Sequence, residues 1–209
     1  MASQVPPKPP FFSLAEDFDY WIRGPSYEKM YPYINQRNVF SVSTLAYKVE
    51  KQVDWKLSGK KENGKINGVM FGGKAKHEFL LKRWQANTDH PEMRNLEQTL
   101  EFHIPYVWKN HPFNEIVLLG HVDGVDWLDG YFIELKTTDW GGPNITPYMI
   151  LQAGAYGFML HETFDRFYQP VIVKTNSEVT VKPLGWLDCI EQMDEMVRRA
   201  KETARLVDV

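Results

Sequence analysis

The chain has 209 residues, 43% of them hydrophobic and 24% charged, with a net charge of −3 at pH 7, which is enough material for one well-filled globular domain. Its single cysteine, Cys189, excludes a disulfide framework and suits a reducing, cytoplasmic setting, the host cytoplasm if the chain is virus-encoded. No stretch approaches the ~18 apolar residues of a membrane span, and the mild negative charge is not that of a strongly basic nucleic-acid binder.

The opening residues, MASQVPPKPP, lack the apolar core of a signal peptide, and their prolines predict a flexible, extended arm over 1–12. A single domain is expected from 13 to 209. Helices are predicted at 13–22 and 43–52, followed by a polar loop that carries Lys56, Lys60, Lys61 and Lys65. Gly72 and Gly73 precede a helix over 74–86, in which His77, Leu81 and Trp84 fall at i, i+4 and i+7 and line the inward stripe. A histidine so placed is either a hydrogen-bonded core residue or a ligand. Lys74, Lys76, Lys82 and Arg83 surround it, as a solvated face or as contacts for DNA.

Strands are predicted at 99–108, 115–125 and 131–138. Ile116–Leu119 and Tyr131–Leu135 are nearly all apolar, which suits strands buried on both faces in mid-sheet. Asp129-Gly130 sits where a two-residue turn would join the second and third strands. Leu128 then pairs with Tyr131, so that partner numbers sum to 259. Asp123 lies opposite Lys136, and Asp123, Glu134 and Lys136 project from one face. Asp123 and Glu134 become diagonal neighbours roughly 7–8 Å apart at the backbone, close enough to share an ion. Charged groups within such apolar runs are costly unless paired or metal-bound.

After a Gly/Pro loop (Trp140 to Asn144), a helix is predicted over 147–161, with Gln152 and Tyr156 on one face. Strands at 167–174 and 178–184 follow, joined by a turn at Thr175-Asn176-Ser177. Residues 186–206 form an amphipathic pattern, with Trp186, Ile190, Met193, Val197, Ala200 and Ala204 in one stripe. That stripe is core packing or, alternatively, the contact of a homo-oligomer. Cys189 reads as a small buried hydrophobe. The fold class is α/β: a mixed central sheet flanked by helices.

The ordered set G-x-x-x-H (Gly73 to His77), G-x-x-D-G (Gly120 to Gly124), E-L-K (Glu134 to Lys136) and Q-x-x-x-Y (Gln152 to Tyr156) resembles the RecB-like branch of the PD-(D/E)XK nuclease superfamily. Phe40 to Leu45 resembles the Ser-x-Ser-x-Leu opening of that branch, and CRISPR-associated RecB-like exonucleases are the sub-family it is most similar to. The resemblance implies a restriction-endonuclease-like α-β-β-β-α-β core and metal-dependent hydrolysis of DNA in replication, recombination or repair. It implies Mg²⁺ or Mn²⁺ held by His77, Asp123, Glu134 and the carbonyl of Leu135. Lys136 would act on the attacking water, Gln152 and Tyr156 would position the strand or Lys136, and Glu101 would add a further carboxylate. Many members of that sub-family hold an iron–sulfur cluster on four cysteines. One cysteine cannot, so no cluster is expected here. Two other readings remain: a nuclease-fold module that binds DNA or a protein without cutting, and a zinc site built from His103, His111 and His121 with Asp123.

Overall fold

Two apolar strand runs at the centre of the sequence organise a mixed sheet. The computed structural model describes residues 35–58, 68–137, 144–175 and 178–209, with backbone alone for 68–72. In chain order the elements are β1 (Val39–Ser41), α1 (Val42–Tyr47), α2 (Val49–Ser58), α3 (Gly68–Ala86), β2 (Arg94–Pro105), β3 (Glu115–Asp126), β4 (Tyr131–Lys136), α4 (Pro147–Phe164), β5 (Gln169–Thr175), β6 (Val179–Pro183) and α5 (Trp186–Val207). From α3 to β5 the order is α-β-β-β-α-β, the restriction-endonuclease-like core. The expected arm at 1–12 and helix at 13–22 lie outside the described residues, as do Asn176 and Ser177 of the expected turn and most of the loop after Thr137. The helix expected at 43–52 is two helices, broken at Lys48, whose backbone is extended.

The six-stranded sheet is forked. β2 runs antiparallel along the full length of β3, from Arg94 opposite Asp126 to Pro105 opposite Glu115. The other edge of β3 is divided between two neighbours. β1 pairs with it in parallel at Val117 to Leu119, and β4 pairs antiparallel only at Gly124 to Asp126. β4 then diverges to run parallel with β5, and β6 closes the sheet antiparallel to β5. Residues Gly120 to Asp123 therefore border a gap between β1 and β4.

The hairpin register differs from the two-residue turn that Asp129-Gly130 suggests. Asp126, not Leu128, pairs with Tyr131, so partner numbers sum to 257 and the loop is Trp127 to Gly130. Asp126 is the cause. Its Oδ1 accepts the backbone N–H groups of Leu128 (3.1 Å) and Asp129 (2.9 Å), its carbonyl accepts that of Gly130, and Gly130 closes the loop at φ 73°. In this register Asp123 falls level with Glu134 rather than Lys136. A second departure lies on β2 and β3, where side-chain alternation slips by one. Leu100, Phe102, Val122 and Val125 all pack in the main core, whereas Leu96 joins the smaller cluster under α3. The slip falls at Glu97, whose φ is 56°, opposite Asp123; these two residues are missing from an otherwise continuous ladder.

One face of the sheet packs on α1, α4 and α5 through Phe40, Leu118, Phe132, Met159 and Met196, all fully buried. Burying each such side chain stabilises the fold by about 1.5–3 kcal/mol. Leu81 and Trp84 of α3 cover the other face against Ile133 and Leu135. Two glycines let helices approach β3 closely. A Cβ at Gly120 would stand 2.4 Å from the Tyr156 ring of α4, and one at Gly124 would stand 2.6 Å from the Trp84 ring of α3. The stripe α5 buries is Cys189, Met193, Met196, Ala200, Thr203, Ala204 and Val207. It is rotated from the expected one, since Trp186, Ile190 and Val197 are only partly buried.

Candidate active site

The fork gathers side chains from four elements. Asp123 sits where β4 leaves β3, and its Oδ2 accepts the backbone N–H of Leu135 at 2.7 Å, replacing the ladder bond that the divergence removes. His77 of α3 reaches the same oxygen, with Nε2 at 3.2 Å. Gly73, one turn earlier, brings α3 against the end of β4, where the Thr137 hydroxyl donates to the Gly73 carbonyl at 2.9 Å. Glu134 and Lys136 alternate with Ile133 and Leu135 on β4, so both charged groups face α4 while the apolar pair faces α3.

Gln152 is the junction of that group. Its Oε1 accepts from Lys136 Nζ at 3.1 Å, and its Nε2 donates to Glu134 Oε1 at 2.8 Å and to the Tyr156 hydroxyl at 3.2 Å. Lys136 Nζ also lies 2.5 Å from Glu134 Oε1. An ammonium can only donate and an ionised carboxylate can only accept, so the two ends of the Gln152 amide have one workable orientation. Glu134 Oε2, by contrast, is buried and has no hydrogen-bond partner among the described residues.

The electrostatics follow from this placement. Burial pushes the Glu134 carboxyl up to about 7, and the neighbouring Asp123 charge adds to the rise against the opposing pull of Lys136. Burial disfavours the Lys136 ammonium, but the charges of Glu134 and Asp123 outweigh it and hold its pKa above the usual lysine value. For His77, burial likewise favours the neutral ring and is outweighed by the hydrogen bond and charge of Asp123, so its pKa is raised. Each group is thus within electrostatic reach of the others.

Among the described residues, no three or more His, Cys, Asp and Glu side chains stand in ready metal-ligand geometry. The residues present nonetheless fit a divalent cation. The buried, unpartnered Oε2 of Glu134 and the mutual repulsion of two carboxylates are what a cation would relieve, and carboxylate and carbonyl oxygens suit a hard divalent ion.

Other candidate residues lie apart. Glu101 is exposed, with its carboxylate 3.9 Å from His103, rather than joining Asp123 and Glu134. His103 pairs with Glu115 at 3.1 Å, His111 packs edge-on to Trp108, and His121 contacts the Thr99 hydroxyl at 3.2 Å, so they do not assemble a zinc site. Lys56 is buried, with Nζ donating to the Gln36 carbonyl at 2.7 Å, and is not a surface contact for DNA. Lys60, Lys61 and Lys65 lie outside the described residues. Lys74, Lys76, Lys82 and Arg83 are exposed, with Lys82 paired to Glu78 at 2.7 Å.

Sequence reasoning missed Arg94 and Asp126, which fix the approach of α3 to the sheet. Arg94 Nε donates to Asp126 Oδ2 at 2.6 Å, and its other nitrogens donate to the carbonyls of Trp84 and Asn87, at the end of α3, and to the Tyr131 hydroxyl. One buried guanidinium thereby ties the helix carrying His77 to the hairpin carrying Asp123 and Glu134. An Asp three residues before Asp129-Gly130 was the legible signal for this turn.

No protein-family model matches the chain, and no curated protein matches its sequence. Solved structures match its shape. The crystal structure of SSO0001 superposes with a TM-score of 0.62 at 11% identity, over 87% of this chain and 86% of that one. A protein from Eubacterium rectale, named provisionally as an exonuclease, superposes with a TM-score of 0.49 at 11% identity over the same shares. The likeness to SSO0001 is one of fold: a mixed sheet flanked by helices, of the restriction-endonuclease-like kind.

Proposed function

We propose that the chain is a divalent-metal-dependent nuclease of the RecB-like PD-(D/E)XK type, hydrolysing phosphodiester bonds of DNA in replication, recombination or repair. The observation that carries this reading is the meeting of His77, Asp123, Glu134 and Lys136 at the sheet fork, with one Glu134 oxygen buried and unpartnered. Asp123, Glu134, His77 and the carbonyl of Leu135 would hold Mg²⁺ or Mn²⁺, and the imidazole makes Mn²⁺ the better match. When bound, such an ion lowers the pKa of a water and offsets charge growing on the phosphate.

The remaining work falls to the chain itself. Asp123, held by Leu135 N–H and His77, keeps one carboxylate fixed at the mouth of the fork. Lys136 stays protonated under the charges of Glu134 and Asp123, and so stands as a cation beside the developing phosphorane and orients the attacking water. Gln152, braced by Tyr156, keeps the Lys136 ammonium and the Glu134 carboxylate in fixed relation.

End-labelled single- and double-stranded DNA, linear and circular, incubated with Mn²⁺ or Mg²⁺, tests this. Cleavage that stops with a chelator and is absent in Glu134→Gln is expected. DNA that is bound but left intact under every condition would make the chain a nuclease-fold binding module instead.

A further inference from the structure

Beside the fork stands an aromatic pair, one ring packed against a small core cluster and the other open to solvent. Tyr47, the last residue of α1, is 50% exposed, and its ring meets that of Tyr148 edge-on at 5.7 Å and 85°. Tyr148 lies in the first turn of α4, one turn before Gln152 and on the same face. Gln152 in turn contacts Lys136 at 3.1 Å, so the ring pair leads directly to the proposed catalytic ammonium. Tyr148 is near enough to act electrostatically on Lys136. Two exposed lysines frame the outer ring, with Lys48 Nζ 5.8 Å and Lys51 Nζ 5.3 Å from the Tyr47 centroid. They outnumber Glu50, the one acidic residue of that turn. The outer ring of the pair thus offers an open aromatic face flanked by two cations.

We propose that Tyr47, backed by Tyr148, is a stacking platform for an unpaired base next to the scissile phosphate, with Lys48 and Lys51 holding the flanking phosphates. An aromatic face accepts any base, and lysines beside it can exchange their ring contact for phosphate oxygens. This deepens the nuclease reading and rests on it.

Binding of a fluorescein-labelled single strand, the same strand made abasic, and a blunt duplex, each measured by anisotropy with Ca²⁺ in place of the catalytic ion, tests the platform. Wild type should bind the intact strand about fivefold or more tightly than the abasic one, the low end for a single stacked base. Tyr47→Ala should lose that preference, and so should Tyr47→Leu, which keeps apolar bulk against Tyr148 without a π face; Tyr47→Trp should keep it. Lys48→Ala and Lys51→Ala should weaken intact and abasic strands alike, each reducing the salt slope by about 0.7. Full preference in Tyr47→Leu, or a blunt duplex bound as tightly as the single strand, would overturn the proposal. If Mn²⁺-dependent cleavage persists in that case, only the platform fails; if wild type neither binds nor cuts any of the three, the nuclease reading fails with it.

Discussion

Gly120→Ala probes how the G-x-x-D-G segment serves the site. A Cβ there would lie 2.4 Å from Tyr156 Cε1, 3.0 Å from Cδ1 and 3.3 Å from Cζ. Carbon atoms pack at about 3.5–4.0 Å, so the ring would have to retreat by roughly 1 Å. Tyr156 has little room, being 2% exposed with its hydroxyl 3.2 Å from Gln152 Nε2. Overpacking of this kind costs about 1–3 kcal/mol, and at about 2–4 °C per kcal/mol for a domain of this size the melting temperature should fall by about 2–12 °C. Gln152 loses its brace with the ring, so cleavage should fall further than unfolding alone explains. Thermal melts of Gly120→Ala, Tyr156→Leu and the double variant form the assay. Because the smaller leucine side chain would vacate the space of the Tyr156 ring, the double variant should be less destabilised than the sum of the two singles. A Gly120→Ala protein that melts with wild type, or strict additivity in the cycle, would refute the steric argument.

Arg94→Met leaves the Asp126 carboxylate buried without its cation and should cost about 3–5 kcal/mol in denaturant melts, the usual penalty for half of a buried pair. Burial opposes ionisation of Asp126, but the Asp129 and Leu128 amides and Arg94 outweigh it and depress its pKa. Its stabilisation is therefore complete above the ordinary carboxylate pKa near 4 and is lost as pH falls through the lower folded value. Wild type should lose stability below about pH 4 more steeply than Asp126→Asn, and parallel acid limbs would contradict this. His77→Ala should weaken Mn²⁺ binding and cleavage with little loss of melting temperature; unchanged affinity with a sharp thermal loss would make His77 a core residue. Asp123→Asn should abolish cleavage while remaining folded by circular dichroism, and robust activity would place the catalytic carboxylates elsewhere.

Most strand and helix positions were legible because each is a local pattern, although β1 was not expected, one helix over 43–52 is two, and the strand expected at 99–108 starts at Arg94. The apolar runs at Ile116–Leu119 and Tyr131–Leu135 became β3 and β4, and the periodic stretch after Pro147 became α4. Gln152 and Tyr156, four apart on that helix, are also joined by a hydrogen bond. What escaped was set by tertiary contacts. Asp129-Gly130 looks like a two-residue turn, yet Asp126 captures two amides ahead of it and lengthens the loop. Glu134 and Lys136, two apart on β4, project together whatever the register. The slip at Glu97 and Asp123 has no local sequence signature, and neither does the sharing of one β3 edge between β1 and β4. The sharing depends on how far β4 splays, and that splay is what leaves Asp123 free to cap Leu135 N–H and meet His77.

Calorimetric titration of Mn²⁺ into wild type and Glu134→Gln tests the central claim most directly, because Glu134 carries both the buried unpartnered oxygen and the raised pKa. Wild type should show a saturable site that Glu134→Gln weakens by at least an order of magnitude, with both proteins folded and cleavage lost in parallel. Equal Mn²⁺ affinity in the two proteins would mean that the fork is not where the ion binds.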